Sequence, residues 1–100
     1  MTIRKVQQSP IFQGVDERIA YDLDTEPWGG YDSSVANVLK DKDGDDVSST
    51  KLVGAPSVMG DVITTSVVID LVDRTKYRLE ILWVKDGNTL ETYCEIMGEV

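Results

Sequence analysis

The side chains of this 100-residue chain that could do chemistry are mostly carboxylates: it has 18 acidic residues and no histidine. Acid–base work on a glycosidic bond needs two carboxyls, one of them in an apolar cleft that raises its pKa. Asp22 with Asp24 and Glu91 with Glu95 are the pairs on offer, and their places in alternating segments point them to solvent or to strand ends. The absence of histidine removes the commonest general base and the usual zinc, copper and iron ligand, which excludes a catalytic triad and a tetrahedral zinc site. Cys94, the single thiol, is in phase with Leu90 and Ile96 and has no clustered lysine to activate it, so it reads as a buried structural residue. Ser33-Ser34 and Ser48-Ser49-Thr50 have no base beside them. No catalytic or cofactor-binding residue is assigned, and the expectation is a protein that is not an enzyme and carries no cofactor.

Asp41-Lys42-Asp43-Gly44-Asp45-Asp46 is the one cluster with the oxygen ligands that calcium prefers. An EF-hand loop requires glycine at its sixth position and a bidentate glutamate at its twelfth, whereas here glycine is fourth and Leu52 is twelfth. The stretch reads as a solvated Asp-Gly turn between strands, and no metal site is assigned. Two other sets invite a binding role. Trp28 and Tyr31 lie in a glycine-rich loop, where aromatic rings stack on sugars, anchor a protein interface or fold back over the end of a core. Val62, Val68, Leu82 and Val84 point away from the inward sets of their strands, as an exposed patch for subunit contact or a second core layer would.

The segments that must position these residues are short and alternating. Ile63–Leu71, Tyr77–Val84 and Leu90–Met97, joined at Val72-Asp73-Arg74-Thr75 and Asp86-Gly87-Asn88, have the pattern of an antiparallel meander. Upstream, Glu17–Leu23, Val35–Lys40 and Val47–Val53 read as further strands, with a long turn-rich connection through Pro27 and Gly29-Gly30. Residues 1–13 form a partly mobile N-terminal arm or an edge strand that stops at Ser9-Pro10, and residues 14–100 form one domain. About six to eight short strands with turns at this spacing describe an all-β fold, an immunoglobulin-like antiparallel sandwich, with a small barrel as the competing architecture. The inward set is Ile19, Tyr21, Leu23, Val38, Val67, Ile69, Leu71, Tyr77, Leu79, Ile81, Trp83, Cys94 and Ile96.

Composition bounds the partners. With 41% hydrophobic and 28% charged residues the chain has the balance of a globular protein. A formal net charge of −8 repels phosphate backbones and anionic lipid, so protein partners are expected, and neither nucleic acid nor membrane. The single cysteine allows no internal disulfide, and the first residues contain no apolar signal-peptide core, which together place the chain in the cytoplasm.

The order of features resembles a family of small immunoglobulin-like β-sandwich proteins from bacteriophage and prophage structural modules. The similarity runs from about Gln7 to Val100 and is carried by four features. They are Glu17–Asp24 before a glycine-bearing loop, a mid-chain Asp-Gly turn, Val67–Leu71 leading to Tyr77–Ile81, and the hairpin Asp86–Glu91 before the last strand. The loop Pro27-Trp28-Gly29-Gly30-Tyr31 departs from what is associated with that family. The resemblance implies a virion-associated or head–tail accessory protein, made in the host cytoplasm, without enzymatic activity and with protein partners alone. The residues read directly leave a second expectation open, a carbohydrate- or cell-surface-binding module built on Trp28 and Tyr31.

Overall fold

The computed structural model describes residues 3–5 and 10–100, with side chains from Pro10 onward. Its centre is a long hairpin of β9 (Lys76–Lys85) and β10 (Asn88–Glu99), in register from Asn88 opposite Lys85 to Met97 opposite Lys76. Asp86 (φ 52°) and Gly87 (φ 77°) close it as two consecutive left-handed residues. That conformation matches the twist of the flanking strands and is the one Asp-Gly favours.

Around the hairpin, β4 (Ser33–Lys40) pairs antiparallel with β9, while β1 (Ile3–Lys5) and β2 (Ile11–Gly14) lie parallel along the far edge of β10. Residues 3–5 and 11–14 are thus edge strands of the main sheet. The expected partial mobility of residues 1–13 falls in part outside the described residues.

A second group of strands packs over this five-stranded sheet. β3 (Asp22–Asp24), β7 (Val62–Thr64) and β6 (Ser57–Met59) form one antiparallel sheet in the order β3-β7-β6. β5 (Leu52–Val53) and β8 (Val67–Val68) form another. The chain is therefore mostly β, in several sheets, none of which closes into a barrel. Leu23, Ile63 and Val68 from the smaller sheets share one buried cluster with Leu39, Tyr77, Leu79, Ile81, Trp83, Cys94 and Ile96 from the large one. Among the described residues, no helix is long and apolar enough to cross a membrane.

The inward alternation of Tyr77, Leu79, Ile81 and Trp83 holds throughout β9, and Cys94 and Ile96 face them from β10. Elsewhere the structure corrects the expected pattern. Residues Ile63–Leu71 are not the first strand of a meander with β9. They divide at Thr65-Ser66 into β7 and β8, and β4 takes the place beside β9. The division has a hydrogen-bonding cause: the Thr65 N–H donates to Tyr21 O (2.8 Å) and the Ser66 N–H donates to Asn37 Oδ1 (2.7 Å). Both residues are buried in succession, which shifts the alternation by one position. Val68 is consequently fully buried, whereas Val67 and Ile69, expected inside, are half-buried.

The same argument exchanges Val38 for Leu39. Leu39 lies opposite inward-facing Leu79, so it is fully buried, and Val38 falls opposite Glu80 on the outer face. The expected strand at Val47–Val53 begins instead as a single helical turn, α1 (Ser48–Lys51), before β5. In this turn the Lys51 N–H donates to Val47 O (3.0 Å), and the Ser48 hydroxyl accepts the Leu39 N–H (2.9 Å). Of Glu17–Leu23, only Asp22 and Leu23 are in a strand, and Ile19 makes an isolated bridge to Val68.

Two contacts lock the periphery onto the core. Gln13 is fully buried; its Nε2 donates to Val68 O (2.9 Å) and Glu17 O (3.1 Å), and its Oε1 accepts the Tyr21 hydroxyl (2.6 Å). Burial, with the Cys94 and Glu17 charges adding to it, pushes the Tyr21 phenol up to about 12. Directly opposite Gln13 on β10, a Cβ on Gly98 would lie 2.2 Å from Val72 O, so only glycine lets the 71–75 turn cross there.

Candidate interaction surface

The molecule has two outward sheet faces on opposite sides of one core, and the residues singled out in the sequence are distributed between them. Leu82 and Val84 are half-buried on the outer face of the large sheet, because Ile81 and Trp83 point inward. Val62 is half-buried on the outer face of the small sheet, because Ile63 points inward. With Val68 in the core, these four residues make no common patch: three lie outside, on two different faces, and the fourth is inside.

On the large sheet, register places Val38, Glu80 and Tyr93 in one row and Lys40, Arg78 and Glu95 in the next. Glu80 is buried at 5% exposure on this outer face. Its cover is the neighbouring side chains, with Lys40 Nζ 3.2 Å from one carboxylate oxygen and Arg78 Nε 3.0 Å from the other. The Arg78 guanidinium in turn lies 3.8 Å from the Tyr93 ring centroid, and Lys76 Nζ is 3.5 Å from Glu95. Opposite charges thus pair across this face, between strands at Lys40–Glu80 and Lys76–Glu95 and along β9 at Arg78–Glu80. A cleft of about 470 Å³ opens beside the network, lined by Lys40, Lys42, Lys76, Arg78, Asp41, Glu80 and Glu95 among others.

Trp28 and Tyr31 sit at one end of the core. A short 3₁₀ turn, Glu26–Trp28, carries the tryptophan, and Gly29 (φ 98°) and Gly30 (φ 100°) reverse the chain after it. The Trp28 ring is 6.0 Å from Trp83 at an interplanar angle of 73°, an edge-to-face contact, and Trp83 Nε1 donates to Gly30 O (3.1 Å). The Tyr31 N–H donates to Asp61 Oδ1 (3.2 Å). Both aromatic rings are half-buried and pack against the core.

The groups with catalytic potential lie apart in the fold. Cys94 is buried, and burial first, then the neighbouring Glu95 charge, pushes its thiol up to about 11, away from the reactive thiolate. Asp22 and Asp24 are exposed and flank inward-facing Leu23. The carboxylates of Asp41, Asp43 and Asp45 lie within 4.8 Å of one another. One oxygen of Asp41 already accepts the N–H groups of Asp43 (2.9 Å) and Asp45 (3.0 Å), which folds the loop as a turn.

The sequence reading missed the Glu80 network and the exposure of Met59. The first had a signal, since Arg78, Glu80 and Lys40 occupy outward positions of adjacent strands. The second had none, because Ser57–Met59 is too short a run to reveal its phase. The chain matches no protein-family model, no curated protein and no solved structure.

Proposed function

We propose that the protein is a non-catalytic structural or accessory component of a bacteriophage or prophage particle, an immunoglobulin-like sandwich that works through protein–protein contacts. What carries the reading is the pair of outward sheet faces on a small shared core, with the one thiol buried, Asp22 and Asp24 exposed, and Glu95 paired with Lys76. Open sheet faces of this kind suit contact with another protein better than enclosure of a small substrate. The glycan-binding alternative is less well supported, because Trp28 and Tyr31 spend much of their ring surface on the core. The test is to purify particles from an induced host on a density gradient and to look for the chain by mass spectrometry. Co-migration with capsid or tail proteins is expected. Recovery of the chain only from the soluble fraction would overturn the proposal.

A further inference from the structure

The outer face of β3, β7 and β6 has a charge pattern that specifies a kind of partner. We propose that this face docks a basic, partly apolar segment of another protein, an inference that rests on the accessory-protein reading above. Register sets two rows across it, Asp24–Val62–Met59 and Asp22–Thr64–Ser57. Met59 is 85% exposed, far more than a structural role needs.

The carboxylates of β3 beside it hold hydrogen bonds from neutral donors. Asp22 Oδ1 accepts the Thr64 hydroxyl (2.6 Å) and Asp24 Oδ1 accepts the Glu26 N–H (3.0 Å). Among the described residues, no cationic side chain comes within ion-pair distance of Asp22, Asp24 or Glu26. On the outer face of the large sheet, by contrast, Glu80 and Glu95 each have a cationic partner.

A segment presenting lysine or arginine beside an apolar side chain would pair with Asp22 and Asp24 and cover the Met59 thioether, which adapts its shape to what it meets. Acidic proteins, phosphate backbones and anionic lipid are repelled by the same field. The charges chiefly set association rate and selectivity, and the Met59 contact sets residence.

The probe is a short fluorescent peptide alternating lysine and leucine, with a glutamate–leucine peptide as its counterpart. Binding is read by anisotropy at low salt and located by amide chemical shifts. The lysine peptide should bind saturably and shift residues of β3, β6 and β7, and the D22N/D24N double variant should weaken it about tenfold. Asparagine keeps the one accepting oxygen used at each position, so the fold is retained. D43N/D45N, which removes the same charge from a distant loop, should leave the affinity unchanged. Absence of saturable binding, equal binding of the glutamate peptide, shifts spread over both faces, or equal weakening by both double variants would overturn the inference. If the inference fails while the chain co-migrates with particles, the accessory reading stands alone. Peptide binding at this face by a chain absent from particles would support the surface and overturn the particle.

Discussion

At the scale of single residues, two buried groups make stability statements. The Thr92 side chain is fully buried, and its hydroxyl has no hydrogen-bond partner among the described residues. An unsatisfied buried hydroxyl costs free energy, so Thr92→Val, which keeps the shape and removes the polar atom, should stabilise the fold by about 1 kcal/mol in urea unfolding. Destabilisation would mean that the hydroxyl has a partner. Cys94 ties stability to alkaline pH. Its folded-state pKa is raised from 9.0 to about 11, so its contribution is fully present below pH 9 and is lost as the pH climbs toward 11. Over that window the loss amounts to about 2–3 kcal/mol. Cys94→Ala should unfold more easily at neutral pH and lose less stability than the parent between pH 9 and 10.5, checked by melts at stepped pH.

At the scale of elements, the 24–32 connection is a lid on the core. Trp28→Ala removes the edge-to-face contact with Trp83, and a loss of about 2 kcal/mol is expected from the apolar area exposed and the ring pair lost. An unchanged melting temperature combined with loss of particle association would make Trp28 a docking residue instead. The 41–46 loop gathers three carboxylates, yet calcium takes six to eight oxygens and this loop lacks the bidentate glutamate of an EF-hand. Melting curves in about 1 mM calcium and in chelator should therefore superimpose, and a clear separation would assign a metal to the loop.

At the scale of the whole molecule, a net charge of −8 on 100 residues opposes the compact state through self-repulsion. Raising sodium chloride from about 20 to 500 mM shortens the Debye length severalfold, so the melting temperature should rise. A fall would mean that the Lys40–Glu80–Arg78 and Lys76–Glu95 pairs outweigh the repulsion. The charge is also unevenly disposed: among the described residues, Glu80 and Glu95 on the large sheet have cationic partners, and Asp22 and Asp24 on the outer face of β3–β7–β6 have none. That disposition is a property of the folded chain, because Asp22 and Asp24 are brought beside Met59 only by strand pairing.

The sequence by itself determined the β class, the β9–β10 hairpin with its Asp86-Gly87 turn, and the inward faces of both strands. The charged Arg78 and Glu80 between Tyr77, Leu79 and Ile81, and Glu91 and Glu95 beside Leu90, Cys94 and Ile96, favour one phase in each strand, and the turn residues impose the register. Tertiary structure decided the rest. Whether Val67 or Val68 entered the core depended on where the Thr65 and Ser66 N–H groups found acceptors, on Tyr21 and Asn37 far away in the chain. Whether Val47–Val53 was strand or helical turn depended on the Ser48 hydroxyl meeting the Leu39 N–H. The expected patch of Val62, Val68, Leu82 and Val84 came apart for the same reason. Alternation shows that a side chain leaves its own strand's inward face, but only the packing of one sheet on another shows which side of the molecule it reaches.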